Sequence, residues 1–193
     1  MEDTKKTGPR DVFSHLLAII FLYVSVFSFA SIVFSFIDLY FPDLLQNYGP
    51  YVRDGLRWPL AVLVVVFPLY VWLTWYLAED VARNPEKRDL KTRKWLLYFT
   101  LFATTIAIVI DLISLIFAFL SGELTVHFVL KVLTVLGIAG VIFTYYLWAI
   151  RTGMPAISNA RMKIFAYTVV GIIAAIIVFG FYIAGSPGAE RAR

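Results

Sequence analysis

The residue most able to do chemistry in this chain is Asp111, a lone acid in a long apolar stretch. A charged side chain at membrane depth costs several kcal/mol unless it is paired, hydrated or protonated. Its neighbours give its direction. Ala103, Ala107 and Asp111 fall at i, i+4 and i+8 and share one helix face. Small residues mark helix–helix contact, so this spacing predicts that Asp111 faces other helices rather than lipid. A partner is available in Lys131, two turns into the following segment, with His127 one turn before it and Glu123 one turn earlier again. Measured from the connecting turn at ~1.5 Å per residue, Asp111 lies about 16 Å deep and Lys131 about 8 Å deep. A lysine side chain spans most of that difference, or it snorkels upward to Glu123 or the head groups. Asp111, Lys131, His127 and Glu123 thus form a candidate polar ladder. It fits a proton or ion path and equally a structural tie between two helices.

The elements that must position these residues follow from composition. Of 193 residues, 61% are hydrophobic and 16% charged, with a mean hydropathy of +0.81. A soluble domain of this length has no interior that could hold so much apolar surface. Five runs are long enough to cross a ~30 Å hydrocarbon core as helices. They are Leu16 to Ile37, Trp58 to Ala78, Trp95 to Gly122, Val132 to Ile150, and Ile164 to Ala184. The expected fold is an all-α, compact bundle of five transmembrane helices, residues 16–184, after a cytoplasmic segment 1–15. The polar tail 185–193 reads as the start of a longer extension. Pro59 is placed in the first turn of the second helix, Pro68 as a kink within it, and Asn84-Pro85 as the start of the third. Asp38 to Arg57 is expected to be the longest outer connection, an ordinary ordered loop or a short segment lying on the membrane surface.

Charge sets the orientation. Twelve of the 17 Lys and Arg fall on the side of the N-terminus, which the positive-inside rule places in the cytoplasm, with the C-terminus outside. Lys87, Arg88, Lys91, Arg93 and Lys94 form the densest group, a candidate contact for anionic lipid or simply a topology signal. Small residues recur at Ser28, Ser31 and Ser35, at Gly137 and Gly140, and at Gly171, Ala175, Gly180 and Ala184. These are packing seams within one chain, or contacts to a second copy or a partner membrane protein.

Many chemistries are excluded. With no cysteine, disulfides, thiolate zinc sites and iron–sulfur clusters are out. The two histidines, His15 and His127, sit at opposite membrane faces and cannot share a haem or a nucleophile. No His-Glu-x-x-His or phosphate-binding glycine loop occurs. Neither a cofactor nor nucleic acid is expected, and an enzyme is the weaker expectation.

Several stretches carry a resemblance. They are Pro9-Arg10-Asp11-Val12-Phe13, Phe41-Pro42-Asp43, Arg57-Trp58, Arg93-Lys94-Trp95-Leu96-Leu97-Tyr98, Asp111-Leu112, Phe119-Leu120-Ser121-Gly122-Glu123-Leu124-Thr125 with Phe128 and Lys131, and Tyr145-Tyr146. Together they resemble an uncharacterised bacterial family of integral-membrane domains, a domain of unknown function that a polar C-terminal segment usually follows. The resemblance implies a basic residue, often arginine, where His127 stands. It implies no activity, cofactor or catalytic residue. The reading that results is a non-enzymatic anchor, assembly or sensing module in the bacterial cytoplasmic membrane. The alternative is a small ion channel or proton/ion-coupled transporter using Asp111 with Lys131, and a third is a lipid-modifying membrane enzyme.

Overall fold

The computed structural model describes residues 9–41, 51–84, 91–122, 124–152 and 160–185. They form five helices: α1 Pro9–Tyr40, α2 Tyr51–Arg83, α3 Lys91–Leu120, α4 Val126–Thr152 and α5 Ala160–Gly185. All five are long and apolar enough to cross a membrane. Every backbone polar group in such a segment must be satisfied within the segment, which is why the apolar runs become helices.

Each helix outruns its apolar run at one end or both. At 26 to 33 residues, they exceed the ~20 needed for the hydrocarbon core, because polar flanks continue the same hydrogen-bond ladder. This revises several sequence expectations. Asp38 is not a loop residue: it lies on the last turn of α1. Tyr51 to Arg57 belongs to α2, so Pro59 falls inside the helix rather than in its first turn. Pro85 lies outside the described residues, and Asn84 follows the last residue of α2. Its amide donates to the Asp80 carboxylate at 3.0 Å and closes the end of α2. α4 ends at Thr152 and α5 at Gly185. Between α3 and α4, Gly122 takes φ +70°, the left-handed turn that ends a helix. Thr125 Oγ1 then accepts the Phe128 N–H at 3.2 Å as the cap of α4.

α1 lies at the centre of the bundle. It packs mainly on α2, and also on α4 and α3. α3 pairs with α4, and α5 rests on α2. We call the end that holds the start of α1 proximal and the other end distal. The dry core is distal, where Ile32, Leu56, Leu60, Leu63 and Phe67 pack with Ile183. Gly180 admits α5 to this core. A Cβ there would stand 2.6 Å from Leu60 Cδ2. The proximal end is held by Arg10, whose guanidinium donates to Tyr76 Oη at 2.5 Å and lies 6.0 Å from that ring's centre.

Candidate functional site

At the distal end, α1 and α4 each present two residues four apart. Phe34 and Asp38 share a face of α1, and His127 and Lys131 share a face of α4. The faces meet on one oxygen. His127 Nε2 stands 2.5 Å from Asp38 Oδ1, and Lys131 Nζ is 2.8 Å from the same atom. A carboxylate only accepts, so both nitrogens donate, and Nε2 is the protonated ring nitrogen. Lys131 also lies 5.6 Å from the centre of the Phe34 ring, within cation–π range. The side chains are mostly covered: 18% of Asp38, 14% of His127 and 28% of Lys131 is exposed. Charge-assisted bonds in such a setting are strong, and each partner lost leaves a charge uncompensated.

The ladder anticipated from sequence is therefore partly assembled. His127 and Lys131 come together as their spacing requires. Their carboxylate is Asp38, from a helix 89 residues away in sequence from His127, rather than Asp111. Glu123 lies outside the described residues. Asp38 was missed because it ends the apolar run of α1, and a charge there looks like the start of a loop. The signal was available: an acid ends that run at the same membrane edge as His127 and Lys131.

Asp111 sits on the inward side of α3, in line with the buried Thr100 and Thr104. It is half-buried, and its Oδ2 is buried with no hydrogen-bond partner among the described residues. One helical turn beyond it, Ser114 lines a small cavity with Ile113, Phe117, Ala118 and Phe128, about 350 Å³ in volume. A second cavity of about 460 Å³ lies between α2 and α5, lined by apolar residues such as Phe67, Trp72 and Ile177.

Of the basic group, Arg93 is half-buried and Lys94 exposed at the proximal end of α3. Lys87 and Arg88 lie outside the described residues, as does the side chain of Lys91. No group of three or more His, Asp or Glu side chains that could hold a metal occurs among the described residues. The small-residue seams divide. Gly180 and Ala184 pack inside the chain, whereas Gly171 and Ala175 are exposed.

All the polar residues that converge here lie between Asp11 and Tyr146. Residues 11–146 match the family model described as Domain of unknown function (DUF5671). The chain belongs to that family. No curated protein and no solved structure matches it. The DUF5671 match takes in α1 to α3 and most of α4, and so contains Asp38, Asp111, His127 and Lys131. α5, which rests on α2, lies beyond the matched segment.

Proposed function

We propose that the protein is a non-enzymatic, multi-pass module of a bacterial cytoplasmic membrane, acting as an anchor, assembly or sensing domain. The observation that carries this reading is the closed distal ion cluster. Asp38 neutralises Lys131 and accepts from His127 within the chain. Lys131, the cation that a conduction path would present at this end, is thereby engaged with His127 in joining α1 to α4. The cavity between α2 and α5 is lined by apolar side chains, which suits packing against lipid or another helix better than polar catalysis. The basic flanks favour an N-terminus in the cytoplasm, where Arg93 and Lys94 would meet anionic head groups. The exposed Gly171 and Ala175 offer a close-approach face to a second copy or a partner helix.

A second reading, a small proton or ion conductor, is favoured by one observation: the partnerless, buried Oδ2 of Asp111. Intramembrane carboxylates commonly mark ion and proton routes. Flux into proteoliposomes separates the two. The module reading expects none above empty liposomes, for the wild type or for Asp111→Asn. Flux that disappears in a folded Asp111→Asn would overturn it in favour of conduction.

A further inference from the structure

The proximal half of the bundle holds a polar cluster that the distal ion cluster does not explain. Tyr70 of α2 adjoins Tyr146 and Tyr145 of α4, Tyr23 of α1 lies beside Tyr146, and Thr74 lies next to Tyr70. The Tyr145 and Tyr146 rings meet edge to face, 5.3 Å between centres. Tyr146 is buried. Tyr23 Oη and Ser25 Oγ in this half are buried with no hydrogen-bond partner among the described residues; Thr74 Oγ1 is buried against Tyr70, short of normal hydrogen-bond geometry.

This is unusual for the chain. In lipid, a serine or threonine can always satisfy itself on the carbonyl one turn back. Thr100, Thr104, Thr134, Thr144 and Thr168 do so at 2.8–3.0 Å. Thr74 and Ser25 do not take that bond, and Thr74 meets Tyr70 instead. A buried hydroxyl without a partner keeps its full desolvation cost, and hydrocarbon offers no donor or acceptor to relieve it. Water relieves it, and buried water typically bridges two to four polar groups of this kind. Charged groups lie within electrostatic reach on the proximal side. Arg93 acts electrostatically on both Tyr145 and His15. Asp11 and Asp80 act on His15 in turn. On the other side, Tyr70 packs against the aliphatic core around Ile32 and Leu63.

We infer that the hydroxyls of Tyr23, Tyr70, Thr74 and Tyr146 form an internal water-binding site, hydrated from the proximal surface and closed towards the distal one. Hydroxyl-radical labelling of the full chain in lipid nanodiscs tests this, because radicals form on bound water and oxidise the side chains beside it. After correction for intrinsic reactivity, Tyr146 is expected to be oxidised severalfold faster than Phe67, which is buried in the dry core. Thr74→Val and Tyr23→Phe, both nearly isosteric, are each expected to slow that labelling. Each should also lower the melting temperature by about 2–4 °C, the effect of losing one water-bridged hydroxyl in a chain of this size. If the hydroxyls are dry, removing them relieves an unsatisfied group, and melting rises instead. Protection of Tyr146 to the level of Phe67 would overturn the inference whatever the melting shows.

Discussion

Asp38 and Asp111 are the same side chain under two regimes. Asp38 lies at the distal edge, where α1 meets α4 and the chain supplies two nitrogen donors to one oxygen. Asp111 lies deeper on α3, where Oδ2 is buried and the described residues supply it no partner. The first carboxylate spends its charge inside the fold. The second retains an unmet demand that a proton, a lipid or another chain must answer. An acid in a membrane helix is therefore not informative by its presence alone. What matters is whether the helix packed across from it carries donors at the same depth.

Removing Asp38 should produce the largest effect. Asp38→Ala leaves Lys131 and His127 facing each other without their common acceptor. Deleting one partner of a covered ion pair costs about 3 kcal/mol, or roughly 6–12 °C of melting temperature at this length. Thermal melting in detergent measures it. Lys131→Met in the Asp38→Ala background should recover part of the loss, because it removes the stranded charge. A melting temperature unchanged in Asp38→Ala would mean that the cluster does not hold α1 to α4, and the contrast with Asp111 would collapse.

The comparison also shows what the sequence could carry. The five helices were legible because apolar runs of this length permit little else. The facing of Asp111, and the pairing of His127 with Lys131, were legible from spacing along a single helix. Asp38 was not, since its role depends on which helix lies across from α4. Contacts between helices far apart in sequence leave no periodicity in either. The helix ends were misjudged for a related reason. A hydropathy boundary marks where lipid stops, whereas the backbone ladder of α1 continues to Tyr40 and that of α2 starts at Tyr51. The tyrosine cluster was hidden because Tyr23, Tyr70 and Tyr146 each read as ordinary interfacial aromatics. Only their convergence from three helices makes them a unit.

A steric version of the same contrast lies on α5, and its expected effect is smaller. Gly180 and Gly171 are both helical glycines in an apolar segment. A Cβ on Gly180 would meet Leu60 at 2.6 Å, whereas one on Gly171 meets nothing within 4 Å. Leu60 is itself buried, so its side chain has little room to yield. Gly180→Val should cost about 1–3 kcal/mol by overpacking, and Gly171→Val should change stability by less than about 0.5 kcal/mol. Melting of the two variants side by side gives the comparison. If Gly171→Val instead changes the mass of the particle by light scattering, the exposed face of α5 is an interface between copies.

The smallest effect should come from Asp111 itself, and it tests the contrast most directly. Asp111→Asn keeps the shape and one acceptor oxygen and removes the ionisable group. With no donor among the described residues to lose, the variant forfeits no bond, and its stability should stay within about 0.5 kcal/mol of the wild type. Asp111→Leu goes further, exchanging an unsatisfied polar oxygen for an apolar side chain, and should melt at or above the wild-type temperature. The same two substitutions at Asp38 should both melt lower, since Asn loses the charge that Lys131 needs and Leu removes the acceptor of both Lys131 and His127. The sign of the Leu variant therefore distinguishes the two carboxylates without reference to any activity. A fall at Asp111→Leu comparable to that of Asp38→Ala would show that Asp111 has a partner after all, and the two acids would be the same kind of residue at different depths.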